Sequence, residues 1–301
     1  MPDALVALYG WTYWDAEVEV DLASLATGKG KVDARVNVVQ AGFALNAARA
    51  LGPSFPAGTV RVVTVTSWDE GRRLERALPP SAVLDAIVTD DLAPPAVSVI
   101  INPRRECRIL RDRREDDAGR WRLDRVPEGA LSAHLHVLGR LPGPFVAGLV
   151  ARVRGQGSRS AWVGGHGLTE ELERDLDLMV VNTREAERLL GRSGAPRDLA
   201  EALVARASAT QAVRVVTGAG RAPMAAVSRE AGTVRYEESA PPAIDPEAIV
   251  TLKGVGDAFA AHFLAAACFD EARRPRLRLE VGQALAAGHA AAARFLAGSP
   301  P

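Results

Sequence analysis

The segment Lys253-Gly254-Val255-Gly256-Asp257-Ala258-Phe259 is the part of the chain best equipped to do chemistry. Two glycines let the backbone turn tightly and present successive N–H groups, and the apolar run after them predicts a helix whose amino terminus adds its positive end. That is a cradle for an anion. Asp257 sits within it, and a carboxylate beside bound phosphate is repelled unless it has a task, such as accepting a proton from an attacking hydroxyl. The alternative is a plain turn in which Asp257 caps the helix.

Other signals are weaker. Gly28-Lys29-Gly30-Lys31 lacks the leading glycine and following Ser/Thr of a P-loop, and Gly218-Ala219-Gly220 is followed by Pro223 where a dinucleotide fingerprint needs a third glycine. His134 and His136 alternate on one strand with no third ligand in view, which favours structural histidines over a metal site. Trp11, Tyr13 and Trp14 cluster beside Asp15, where an aromatic face either stacks on a substrate ring or packs in the protein.

These residues need a scaffold, and the chain alternates strand and helix signals throughout, the mark of a sheet layered with helices. Ala4 to Gly10 reads as the first buried strand; helical periodicity starts near Gly42 and ends at Gly52-Pro53. Val60 to Val65, Val83 to Val88, Ala133 to Leu138, Ala161 to Val163, Leu178 to Val181 and Val213 to Thr217 read as strands. Helices are predicted over Asp69 to Leu78, Phe145 to Val153, Thr169 to Leu176, Arg184 to Leu190, Arg197 to Ala207, Asp257 to Ala267 and Leu279 to Leu296. Val18 to Val20 with Val32 to Val39, and Val97 to Asn102 with Cys107 to Leu110, look like arms of a β flap. Pro223 to Val227 and Thr233 to Tyr236 form a hairpin-like pair, and the Arg/Asp-rich run from Arg111 to Arg125 reads as a solvated loop.

Gly254-x-Gly256-Asp257, taken with Asn182-x-x-Glu185, Gly42-x-x-x-Asn46 and Asp15 five residues after Gly10, resembles the PfkB (ribokinase-like) family of carbohydrate and nucleoside kinases in order and spacing over most of the chain. The resemblance implies a three-layer α/β/α fold, with a mainly parallel central sheet and a small β-sheet lid inserted at about 16–40 and 96–112 of a single domain spanning 1–301. It implies Asp257 as the base that takes a proton from a CH2–OH, with Gly254, Val255 and Gly256 as the anion hole. It implies Asp15, Gly42 and Asn46 on the substrate, Thr217, Gly218, Gly220 and His289 near ATP, and Asn182 with Glu185 around Mg2+. For Asn182 and Glu185 the plain alternative is a helix start capped by Thr183, and for His289 a packing role in an alanine-rich helix.

The chain departs from the family pattern at Ala41, where a glycine is usual, and at Thr251-Leu252-Lys253, where Asp-Thr-Thr is usual, which puts a monovalent-cation site in doubt. Lys253 is one of three lysines, with Lys29 and Lys31; it either lends a positive charge to a phosphate oxygen or faces solvent.

Composition bounds the rest. The 301 residues are 48% hydrophobic, enough for a substantial core, and 37 basic residues balance 37 acidic ones, so no global field draws the chain to nucleic acid or anionic lipid. Cys107 and Cys268 stand far apart, which fits a reducing cytoplasm; no leader and no membrane span are read. The family resemblance implies transfer of the γ-phosphate of ATP, with Mg2+, to a sugar or nucleoside by a cytoplasmic enzyme that pairs as a homodimer through its lid. The rival is a non-catalytic ligand-binding protein of the same fold whose use of ATP has decayed.

Overall fold

The computed structural model describes residues 4–20, 34–89, 97–101, 108–111, 118–164, 167–218, 224–241, 243–250, 252–276 and 278–298. Along the chain run β1 (Val6–Tyr9), β2 (Tyr13–Glu19), β3 (Arg35–Ala41), α1 (Phe43–Leu51), β4 (Val60–Thr66), α2 (Trp68–Ala77), β5 (Ala82–Val88), β6 (Val97–Ile101) and β7 (Arg108–Arg111). The short α3 (Glu128–Leu131) precedes β8 (Leu135–Leu138), α4 (Gly143–Gly155), β9 (Arg159–Val163), α5 (Glu170–Asp175), β10 (Leu178–Asn182), α6 (Thr183–Leu190) and α7 (Pro196–Arg206). β11 (Gln211–Thr217), β12 (Met224–Glu230), β13 (Thr233–Ser239), α8 (Val255–Cys268) and α9 (Val281–Leu296) complete the described elements.

Nine strands form one sheet in the order β13-β12-β11-β10-β9-β8-β1-β4-β5. The ladders from β11 to β5 are parallel, and β12 and β13 add an antiparallel edge. Parallel strands covered on both faces read as continuous apolar runs, and β1, β4 and β8 are buried at every residue. Side chains alternate between faces: Val6 and Leu8 belong to the core layer that takes in α1 and α8, whereas Ala7 and Tyr9 belong to the layer that takes in α4 and α7. The layering is the expected three-layer α/β arrangement with a mainly parallel sheet.

A second sheet has the order β3-β2-β6-β7, with β2 and β6 parallel and the outer pairs antiparallel. Its first strand begins at Tyr13, because the ladder with β3 extends back to the Tyr13–Ala41 pair. Asp15 therefore lies inside a strand of this sheet rather than at the end of β1. Register places Asp15, Ser98 and Val39 on one face, and Ala16, Val38 and Val99 on the other.

Part of the run from Arg111 to Arg125 departs from the solvated-loop reading. Trp121 is buried, edge-on to Trp11 at 5.5 Å and 5.0 Å from the Phe145 ring. A single large aromatic in a charged stretch has nowhere else to place its apolar surface. The same contact makes Trp11 a packing residue. His136 is buried, with Nδ1 3.0 Å from the Tyr9 hydroxyl and Nε2 2.9 Å from the Ala133 carbonyl oxygen, a structural histidine as read; His134 is exposed. Cys107, residues 112–117 and the Thr27–Lys31 turn lie outside the described residues. Among the described residues no helix is long and apolar enough to cross a membrane.

Candidate active site

In open α/β sheets, ligand sites lie beyond the carboxyl ends of the parallel strands. β10 ends at Asn182 and β11 at Thr217, which are register partners, and β1 ends at Tyr9 before the chain crosses to β2. Asp15, Gly42, Asn46, Lys253, Gly254 and Asp257 gather around the starts of α1 and α8.

α8 begins after Gly254, whose φ of 84° is left-handed and whose Cβ, were there one, would stand 2.9 Å from the Phe295 ring of α9. Only glycine makes that turn while α9 lies so close. No side chain caps the helix, and its geometry leaves the leading amides without intrahelical acceptors. Ala258 N–H closes the first internal bond, to the Gly254 carbonyl oxygen at 2.9 Å. Gly256 is exposed, and a Cβ there would meet nothing within 4 Å. An open space thus lies in front of the first turn. The cap is Gly254, so the reading of Asp257 as the N-cap does not hold; Asp257 sits in the first turn, half-buried.

Asn46 Nδ2 donates to Asp257 Oδ2 at 2.8 Å. Asn46 is held by α1, which starts at Gly42 in a conformation (φ 122°, ψ 153°) open to glycine alone; a Cβ would lie 2.2 Å from the Trp11 carbonyl oxygen. Gly42, Asn46, Gly254 and Asp257 are therefore one packed unit. Asp15 joins it from the small sheet. Its side chain is 0% exposed, and the ammonium of Lys253, whose side chain is 13% exposed, meets its Oδ2 in an ion pair. The solvent-facing alternative for Lys253 fails. Burial pulls the Lys253 pKa down to about 8, with the Asp257 charge acting the other way.

At the neighbouring strand ends, Asn182 caps α6: its Oδ1 accepts from Glu185 N–H at 3.0 Å, and Glu185 Oε2 accepts from Asn182 N–H at 3.0 Å. Asn182, not Thr183, is the cap. Thr183 instead donates from Oγ1 to the Thr217 carbonyl oxygen at 3.1 Å, tying β11 to α6. The second Glu185 oxygen, Oε1, faces the Gly164 turn, 3.8 Å from where a Cβ on that glycine would be. Among the described residues no group of three His, Cys, Asp or Glu side chains is arranged to hold a metal. One such carboxylate still fits Mg2+, which keeps its waters and is bound by one or two carboxylates together with phosphate oxygens.

Gly218 follows β11, while Gly220 lies outside the described residues, as does Thr251. His289 is 6% exposed on α9, edge-on to Phe259 at 5.6 Å, and burial lowers its pKa against a hydrogen bond to the Ser239 backbone. Its surroundings match the packing alternative; its Nε2 has no hydrogen-bond partner among the described residues. Sequence reasoning missed Ser98, which pairs in register with Asp15 and is buried on the same inward face. The period-two alternation of Val97-Ser98-Val99 was the available signal.

No curated protein sequence matches this chain. Solved structures do. The chain is similar to an adenosine kinase from Anopheles gambiae solved with a diadenosine tetraphosphate, with a TM-score of 0.77 at 16% identity, covering 98% of this chain and 96% of that one. It is similar also to a ribokinase from Thermotoga maritima (TM-score 0.72, 15% identity, 98% and 93% covered). A ribokinase from Arabidopsis thaliana, solved with ribose and ATP, gives a TM-score of 0.70 at 16% identity over 98% and 93% of the two chains. Identities this low establish the shared fold. The pfkB family of carbohydrate kinases matches residues 6–296, a span that takes in both sheets and the α1–α8 junction. A match of that extent decides the family: this chain belongs to the pfkB carbohydrate kinases and is a phosphotransferase with an alcohol acceptor.

Proposed function

We propose that the protein transfers the γ-phosphate of ATP to a hydroxymethyl group of a sugar or nucleoside. The observation that carries this reading is the Asn46–Asp257 hydrogen bond at the uncapped start of α8. It holds a carboxylate beside open amides, and phosphoryl transfer needs little else than positioning and charge stabilisation.

In this mechanism the acceptor lies between Asp15 and Asp257, under the small sheet, with Gly42 and Asn46 lining its approach. Asp257 takes the proton of the CH2–OH, the alcohol oxygen bonds to the γ-phosphorus, and the bond from that phosphorus to the bridging oxygen breaks to leave ADP. The amides of Gly254, Val255 and Gly256 receive the charge on the equatorial phosphoryl oxygens. Thr217 and Gly218 border the nucleotide. Glu185, with Asn182, would hold Mg2+ through its waters and the phosphates, and the ion would neutralise phosphate charge. ATP as donor points to the cytoplasm as the place of action.

Asp257→Asn tests this. ADP release with a panel of sugars and nucleosides should fall by about 10² to 10⁴ in the variant, the scale of a lost general base, while ATP·Mg2+ still raises its melting temperature. A variant that keeps most of its turnover removes Asp257 from the mechanism.

A second reading, a non-catalytic binder of the same fold, is favoured by one observation: the Lys253 ammonium sits on the carboxylate meant for the acceptor. Absence of any thermal shift at millimolar ATP·Mg2+ would select it.

The partner is read as a second copy of this chain. On the outer face of the small sheet, register aligns Val36 and Val38 of β3 with Ala16 and Val18 of β2, Val97 and Val99 of β6, and Leu110 of β7. Val38 is 56% and Leu110 61% exposed. An apolar sheet face of this extent is a protein-binding surface by physical default, and self-pairing needs no further component.

A further inference from the structure

Asp15 is wholly buried, and neither of its oxygens has a hydrogen bond among the described residues; the Lys253 ion pair alone offsets its charge there. A buried carboxylate without an opposite charge is costly enough that it takes up a proton instead. Neutral, it is a poor acceptor for substrate hydroxyls. Lys253 precedes the glycine pair of the anion hole, and the charge of Asp257 in the first turn acts on it, yet its ion pair is with Asp15. It reaches across to β2 of the small sheet.

We propose that Lys253 is the resident counter-ion of the acceptor site, a positioning residue that keeps Asp15 ionised and aimed so that an incoming acceptor takes over a carboxylate already charged. This rests on the kinase reading above and assigns Lys253 to acceptor binding rather than to the transferring phosphoryl group. Oδ2 is engaged by the ammonium, while Oδ1, buried and without a hydrogen bond among the described residues, keeps its accepting capacity for a hydroxyl donor that enters beside it. The chemical class implied is a neutral polyol bearing a free hydroxyl near its CH2–OH. A cationic acceptor would meet the ammonium at the same carboxylate, and an anionic one would face Asp15 and Asp257 together.

The test is the split between KM and kcat. With the acceptor that gives most ADP release from a panel including D-ribose, D-fructose and adenosine, Lys253→Met should raise the acceptor KM by about 10²-fold or more, the scale of a buried pair losing one partner, and change kcat by less than about threefold. A fall in kcat at unchanged acceptor KM would overturn the assignment and give Lys253 to the phosphoryl group. Should wild type release ADP with no acceptor, the kinase reading itself fails, and thermal melts decide the counter-ion separately. Lys253→Met should then lower the melting temperature and Asp15→Asn, added to it, should restore most of the loss. Losses that simply add would refute the pairing.

Discussion

Of two glycines at the site one is locked by the backbone around it and the other is not, and replacing each by alanine separates folding from chemistry. At Gly42 the backbone has φ 122° and ψ 153°, and a Cβ would press 2.2 Å from the Trp11 carbonyl oxygen and 3.1 Å from Thr12 Cα. Backbone, unlike a side-chain tip, cannot step aside. Strain in this region costs about 1–3 kcal/mol, and the clash adds to it, so Gly42→Ala should lose about 3 kcal/mol or more. For a chain of this size that is a fall of about 6 °C in melting temperature. At Gly256 the added methyl meets nothing within 4 Å, and the position is helical. Gly256→Ala should therefore hold or gain stability, by about 0.4–1 kcal/mol. The same methyl occupies the space in front of the anion hole, and ADP release should drop by about 10²-fold or more. Calorimetric or fluorimetric melts and a coupled ADP assay read both effects. If Gly256→Ala turns over like wild type, the open space is not where phosphate charge is held; if Gly42→Ala melts like wild type, the junction that aims Asn46 is not constrained as described.

Asn46→Leu removes the donor 2.8 Å from Asp257 at nearly constant volume; a hydrogen bond to a charged group contributes about 1.5–3 kcal/mol, so kcat/KM should fall by roughly 10- to 150-fold, and an unchanged value would free Asp257 from its supposed holder. Burial lowers the pKa of His136 to about 4, below its ordinary 6.5, so the native state keeps it neutral. Between these values the unfolded chain binds the proton and the folded one does not. Stability is thus complete above about pH 6.5 and should fall by about 3 kcal/mol toward pH 4, and urea titrations should show this decline reduced in His136→Gln. Val38→Glu with Leu110→Glu should convert a dimer to monomer by sedimentation, with the outer sheet face dismissed if the mass does not change.

Much of the layering was legible because period and burial leave a local trace. The valine-rich runs of β4 and β11 and the glycine and proline that end α1 announce themselves within a few residues, whereas the cap of α6 is Asn182, one residue before the Thr183 of the plain reading. Trp121 escaped because its charged neighbours outweighed it in any local window. Ser98 escaped for a related reason: one serine among valines looks like a solvent-facing position until the partner strand shows which face is inward.

By its residues alone the chain declares strands and helices in alternation, a glycine-bracketed helix start followed by Asp257, and a family resemblance carried by their order. Only the tertiary structure puts Asn46 against Asp257 at a sequence separation of 211, turns Asp15 inward on the small sheet and brings Lys253 to it. The physical reason is that secondary structure follows from neighbours along the chain, whereas a charge's partner depends on which buried surfaces meet once the layers close.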